Sequence, residues 1–278
     1  MTPLVLKFGG ELLEEPSRMS TVVDAVAGIA KTGIPLVVVH GGGKEIDAAL
    51  ATAGIEKRQV DGLRITDEAT LDVVVSVLAG AVNTRFVAAL VTLGIHAVGL
   101  TGADDECGLS EVEMPHVTVD GRLVELGRVG RPHTQASMRV LETLMQNYFV
   151  PIVASIGIAR DGRLLNINAD TMAGHFARSL RARRLVIAGS TSGVLDDSGR
   201  TIPLLDAAAI ELLVSSRTAT AGMIAKLRAC TWALAGGVDD VVIVDGRDQD
   251  ALRAAASGPG SVVPGTATRV VTTVGTRS

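Results

Sequence analysis

Short apolar runs that end in glycine constrain this chain more than any other feature. Leu4 to Leu6 reads as a strand that ends at Lys7 and enters the Phe8-Gly9-Gly10 turn. Pro35 to Val39 reads as the next strand and runs into His40-Gly41-Gly42-Gly43, after which Lys44 to Ala53 has helical spacing. This is strand, glycine loop and helix, the opening of a βαβ unit. Continuous Val, Leu and Ile without polar alternation belongs to strands covered on both faces, as in parallel sheets. The 31 glycines set against 2% aromatic residues suit tight turns between such strands and helices, and an all-β or disulfide-built design loses support.

Further along, Ser17 to Lys31 predicts a helix and residues 57–65 a hairpin carrying Asp61-Gly62. Asp67 is expected to cap a long helix reaching about Leu93, followed by a strand from Ile95 to Gly99. Residues 110–127 read as a second hairpin about Asp120-Gly121, followed by a helix over 134–147, a strand over 150–154 and a hairpin at Asp161-Gly162. The second half opens with Asn166-Ile167-Asn168-Ala169-Asp170 leading into a helix to Leu180. A strand over 184–188, the loop Gly189-Ser190-Thr191-Ser192-Gly193, helices over 206–214 and 221–235, a strand over 239–244 and a last helix and strand complete it. Without internal repeats or a low-complexity linker, the halves read as two lobes sharing one sheet.

The formal net charge is −4, and apart from Arg181, Arg183 and Arg184 the basic residues are scattered. No basic stripe of the kind that neutralises phosphates is present, so nucleic acid is not expected as a partner. Cys107 and Cys230 lie far apart without a CxxC spacing, which predicts two buried thiols, a reducing compartment and no zinc site. Apolar stretches such as 34–39 and 150–158 fall short of the ~20 residues of a membrane span. No membrane partner is expected, and the predicted location is the cytoplasm.

Both glycine loops follow strands, and the triple glycine opens a helix whose free N–H groups favour an anion, so each loop reads as a phosphate or carboxylate cradle or as an ordinary tight turn. Neither GxxxxGK[ST] nor GxGxxG occurs, which argues against P-loop and dinucleotide-binding chemistry. Lysine is found only at positions 7, 31, 44, 57 and 226. Lys7 stands at the end of a strand facing a glycine turn, and Lys226 stands near a helix start, where a cation opposes the dipole. Each reads as a site cation or as a solvated surface lysine. Asp170 reads as a helix cap or a site carboxylate, and Arg64 as a carboxylate clamp or a hairpin charge in water. His96, His116, His133 and His175 show no ligand spacing, and His40, bordering the triple glycine, is equally a satisfied core histidine.

Six segments resemble the amino-acid kinase family, and most closely its members that phosphorylate N-acetyl-L-glutamate. They are Lys7-Phe8-Gly9-Gly10, His40-Gly41-Gly42-Gly43, Asp61 to Thr66, Asn166 to Asp170, Gly193 to Asp196 and Ala221 to Lys226, and they span the chain nearly end to end. The resemblance implies an α/β fold, a three-layer αβα sandwich with a mainly parallel central sheet. It also implies an N-terminal lobe over 1–167 for the acyl substrate and dimerisation, and a C-terminal lobe over 168–278 for ATP. Lys7 and Lys226 would then stabilise the transferring phosphoryl group, with Asp170 holding both and Gly10 and Gly43 donating amide hydrogen bonds. Gly42, Gly43, Arg64 and Asn166 would bind N-acetyl-L-glutamate. Ser190, Thr191, Gly193 and Val194, together with residues 218–226 including Gly222, Met223 and Lys226, would hold ATP, and Mg2+ would ride on its phosphates with no metal ligand from the chain.

The chemistry agrees, because a carboxylate of pKa ~4.3 is already ionised at neutral pH and attacks without a general base. Two departures stand out. Many relatives have a Thr/Ser-Asp-Val-x-Gly pattern where this chain has Gly189 to Gly193, and the family's usual Gly-Gly-Met-Ile-Pro-Lys is here Ala221-Gly222-Met223-Ile224-Ala225-Lys226. Arginine-inhibited members carry an added N-terminal helix, and this chain starts almost directly with its first strand, so a homodimer insensitive to arginine is expected. The alternatives are a kinase for a related acid, such as carrier-linked aminoadipate, and a ligand-sensing module without catalysis.

Overall fold

The computed structural model describes residues 2–118, 121–215, 221–258, 261–262 and 265–272. One sheet holds the strands β1 (Leu4–Phe8), β2 (Leu36–His40), β3 (Ala97–Thr101), β4 (Val150–Ala154), β5 (Arg184–Gly189), β6 (Leu204–Leu205), β7 (Val241–Asp245) and β8 (Ala267–Val270). Their spatial order is β6-β8-β7-β5-β1-β2-β4-β3. Only β7 and β8 run antiparallel to each other. β1 lies between β2 and β5, with Lys7 level with Val39 on one side and Ile187 on the other. Strands from the first 167 residues therefore meet strands from the remainder along the single β1–β5 seam.

The helices are α1 (Pro16–Ala30), α2 (Gly43–Thr52), α3 (Glu68–Thr92), α4 (Arg139–Gln146), α5 (Ala169–Ser179), α6 (Ala207–Ser215), α7 (Ala221–Ala235) and α8 (Gln249–Ser257). Alternation along β1 sends Leu4, Leu6 and Phe8 to the layer of α1, α3 and α8, where they join Val22, Val26, Phe86 and Leu252. Val5 faces the opposite layer with Phe176 of α5 and Leu227 of α7. The result is a three-layer α/β sandwich. The alternation also sends Lys7 to the α5 and α7 side, as a charged residue within an otherwise apolar strand covered on both faces.

Three expectations need correction. α3 is long and apolar enough to cross a membrane by length and composition, contrary to the reading of short apolar stretches. Polar residues such as Asp72, Asn83 and Arg85 break its apolar run without ending the helix. It is a core helix: Asp67 caps it by accepting from Thr70 N at 2.9 Å, and Leu71, Val74, Leu78, Val82, Phe86 and Leu90 are buried. Its middle, Ser76–Val82, is π-helical. The 110–127 hairpin forms, with His116–Val117 on Leu123–Val124, but it runs beyond its expected bound, since an outer ladder pairs Ser110–Val112 with Gly130–Pro132; Asp120 lies outside the described residues. α4 starts at Arg139 rather than 134, because the residues before it turn about His133, whose Nδ1 accepts from Gln135 N at 3.1 Å.

Cys107 and Cys230 are free and buried, as expected, and burial pushes both thiols up to about 12. Phe86 stands edge-on to Phe8, ring centres 6.1 Å apart, at the heart of the α1–α3 layer. Phe86→Ala is expected to lower the unfolding free energy by about 3–5 kcal/mol in urea titrations, and a loss below about 1 kcal/mol would contradict this packing.

Candidate active site

β1, β2 and β5 are parallel neighbours, so the loops after them leave the sheet at one edge, the carboxyl end where open α/β sheets bind ligands. The Gly9-Gly10 turn and the Gly41–Gly43 loop touch there. A Cβ on Gly10 would lie 2.5 Å from Gly42 Cα and 2.8 Å from Gly43 N, so the contact admits no side chain. Gly43 begins α2, and the first-turn amides of that helix have no intrahelical acceptor.

Lys7, at the end of β1, meets Asp170 of α5 and Lys226 of α7 just below this edge. Lys7 Nζ lies 2.9 Å from Asp170 Oδ1, and Lys226 Nζ lies 3.4 Å from the same oxygen. Asn168, not Asp170, caps α5, accepting from Asp170 N at 2.9 Å and Thr171 N at 3.1 Å, which frees the aspartate for the lysines. The surface readings of Lys7 and Lys226 are likewise excluded, since both side chains are almost wholly buried. Burial opposes ionisation of Asp170, but the two ammonium groups outweigh it and hold the carboxyl below the usual range. Burial, and then Lys7, push Lys226 below the ordinary lysine value while Asp170 works against them. Two cations thus share one carboxylate, and the surplus positive charge suits an anion.

Arg64 is delivered by the hairpin of Gln59–Val60 and Leu63–Arg64, whose turn needs positive φ at Asp61 (44°) and Gly62 (76°). It is not a charge in water. Its Nη2 donates to Gly43 O at 3.3 Å and to Asp47 Oδ1, while its buried Nη1 has no hydrogen-bond partner. Lys57 Nζ holds the other Asp47 oxygen at 2.6 Å. Burial works against ionisation of Asp47, and the bonds from Lys57 and Arg64 overcome it. Asn166 joins this wall by donating to Thr66 Oγ1 at 3.1 Å. Glu11, Gly43, Lys44, Asp47, Arg64 and Ser190 line a cleft of about 490 Å³.

Of the loop after β5, Ser190 reaches the cleft, and Arg247 braces it by donating to Ser190 O at 2.8 Å. Thr191 closes the loop on itself, Oγ1 donating to Gly193 O at 2.9 Å. Gly193, at φ 121°, would drive a Cβ to 2.7 Å from Thr268 N, and buried Val194 donates its N–H to Thr268 Oγ1 at 2.8 Å. Gly193 and Val194 therefore shape the loop from below. Gly222 and Met223 occupy the first turn of α7, and residues 218–220 lie outside the described residues. Sequence reading missed Asp47, Lys57 and Arg247. Only Asp47 carries a local signal, one helical turn after Gly43.

The Amino acid kinase family model matches residues 2–245. The chain belongs to the amino-acid kinase family. Among similar proteins of known function, the acetylglutamate kinase of Sphingopyxis alaskensis is 40% identical over 252 residues, 89% of this chain and 83% of that protein. The acetylglutamate kinase of Zymomonas mobilis is 38% identical, covering 87% and 82%. The N-acetylglutamate synthase of Neisseria gonorrhoeae, solved with coenzyme A and N-acetyl-glutamate, superposes with a TM-score of 0.82 at 23% identity over 99% of this chain and 60% of that one. Carbamate kinase from Giardia lamblia does so with a TM-score of 0.69 at 16% identity over 98% and 99%. At such identities the two solved structures establish the fold alone.

The loop contact gives a paired test. Gly10→Ala is expected to destabilise the protein by about 1–3 kcal/mol, because its Cβ meets backbone. Gly43→Ala, whose Cβ meets nothing within 4 Å, should change stability by less than about 1 kcal/mol. Equal effects in urea unfolding would contradict the loop contact.

Proposed function

We propose that this chain uses ATP to phosphorylate the side-chain carboxylate of N-acetyl-L-glutamate, forming N-acetyl-L-glutamyl 5-phosphate in arginine biosynthesis. The observation that carries this reading is the Lys7–Asp170–Lys226 cluster beneath two touching glycine loops, with Arg64 on the same cleft wall. The 40% identity to an acetylglutamate kinase selects the acid.

The acceptor carboxylate is ionised at neutral pH, so an oxygen of it attacks the γ-phosphorus directly while the bond to the β–γ bridging oxygen breaks and ADP departs. Catalysis is then positioning and charge cancellation. Lys7 and Lys226 face the transferring oxygens, Asp170 keeps the two ammonium groups from repelling each other apart, and the Gly10 and Gly43 amides donate to the same group. Arg64, held by Asp47 on the cleft wall, binds a substrate carboxylate through its guanidinium, and Asn166 and the Gly42 and Gly43 amides complete the acyl site. Ser190, Thr191, Gly193, Val194, Gly222, Met223 and Lys226 make up the nucleotide side, so residues 1–167 serve the acid and 168–278 serve ATP. Among the described residues no group of three or more acidic, histidine or cysteine side chains could hold a metal ion. Mg2+ would ride on the ATP phosphates, where it would cancel part of their charge.

We assign the free edge of the sheet to a second copy of the chain. β3 is an edge strand, and Val91, Leu93, Tyr148 and Phe149 expose apolar surface next to it. The free thiols suit a cytoplasmic setting.

ADP release from ATP and Mg2+ is to be measured with N-acetyl-L-glutamate, glutamate, α-aminoadipate and aspartate in parallel. Release with N-acetyl-L-glutamate alone, reduced at least about 100-fold in Lys226→Ala, is expected. Folded protein releasing none would move the reading to a carrier-linked acid or a sensing module. Because the Lys226 pKa is depressed, its charge is lost earlier than usual as pH rises, so kcat should fall at a pH below the ordinary lysine value of about 10.4. A profile flat to that value would count against Lys226 acting as a cation.

A further inference from the structure

Beneath the triple glycine runs a buried polar chain to which the proposed chemistry gives no role. Asn83 of α3 is 4% exposed, and its Nδ2 lies 2.8 Å from Ile152 O and 3.0 Å from His40 Nε2. His40, wholly buried at the end of β2, places Nδ1 3.2 Å from Gly41 O. A carbonyl only accepts, so Ile152 O obliges Asn83 to turn its NH2 inward. Of the two remaining neighbours, Leu100 O at 3.5 Å and Nε2 at 3.0 Å, the second hydrogen is aimed at the nearer Nε2, which an amide nitrogen without an accepting lone pair could not pair with if it were protonated. Nε2 is therefore an acceptor and the ring proton sits on Nδ1, where it donates to Gly41 O.

Gly41 C=O and Gly42 N–H belong to one planar trans peptide, so fixing the oxygen fixes the direction of the Gly42 N–H on the opposite side. Glycine supplies no restraint of its own at this peptide. On its other side, Gly41 N donates to Phe8 O at 3.3 Å. We infer that Asn83 and His40 are positioning residues for phosphoryl transfer, which hold the Gly41–Gly42 peptide so that the Gly42 and Gly43 amides face the reactants. This rests on the assignment of those amides in the proposed function.

The arrangement requires a neutral ring. Burial, with a smaller push from Arg85, takes His40 down to about 4, against the bond to Gly41. Arg85 of α3 is paired with Glu45 of α2, Phe8 and Phe86 close the apolar side, and Lys7 lies on the other face of the sheet. The ring is thus uncharged throughout the range in which a kinase is assayed.

The test joins a spectrum with a pH profile. In the wild type, 15N NMR of the His40 ring should show Nδ1 protonated and Nε2 bare from about pH 5 to about pH 8. In Asn83→Asp the carboxylate cannot donate to Nε2, so only the doubly protonated ring keeps its bond to Gly41 O. That variant should hold near-normal kcat at low pH and lose about 10- to 100-fold as pH rises through the raised ring pKa, with KM for ATP within about twofold. A wild-type ring protonated on Nε2, or a folded Asn83→Asp with the wild-type pH profile, would overturn the inference. If Asn83→Asp does not fold, the wild-type ring spectrum decides. Wild-type protein inactive with every acid would overturn the functional reading instead, and the ring spectrum would be unaffected.

Discussion

A carboxylate shared by two buried lysines is the interaction on which the rest of this structure depends. Two ammonium groups this close would repel and shed protons in an apolar interior, and a carboxylate between them would be costly to ionise alone. Together they leave a net positive charge beneath the cleft, held by three separate elements: a central strand, the first turn of α5 and the second turn of α7. The pairing of β1 with β5 matters for the same reason, because it places Lys7 from one half of the chain against Asp170 from the other.

The glycines make sense only in relation to this charge. Gly10 and Gly42 lie too close for side chains, so backbone amides rather than bulky groups face the cleft. Their freedom is a cost that the surroundings offset. Leu78, in the π-helical stretch of α3, sits where a Gly42 Cβ would meet it at 2.8 Å, and His40 holds the neighbouring carbonyl. A helix with regular spacing would carry Leu78 and Asn83 at a different angle to each other, which gives the widened turn between them a structural purpose.

Much of this was legible in the sequence, for physical reasons that can be named. Continuous apolar runs marked β1, β2, β4 and β5, and the glycines after them marked the cleft, because burial on both faces and close backbone approach leave few alternatives. The meeting of Lys7, Asp170 and Lys226 was legible only through resemblance, since nothing local links residues that far apart. Asn168 was readable as the cap of α5 in principle, but Asp170 nearby satisfies the same rule. Arg64 read equally as a hairpin charge until Asp47 and Gly43 were seen beside it. The bounds of α3 were legible from its cap, but its apolar character over a membrane-spanning length was not, because polar residues break the apolar run, and the two-residue strand β6 is too short to leave a pattern.

The central claim is that Asp170 acts on the transferring group through the lysines and leaves nucleotide binding to other residues. Single-turnover transfer and the dissociation constant of ATP with Mg2+ should be measured together in Asp170→Asn. The account predicts a transfer rate lower by at least about 100-fold with the dissociation constant within about threefold of the wild type. A rate within about tenfold of the wild type would contradict it, as would a loss confined to ATP binding.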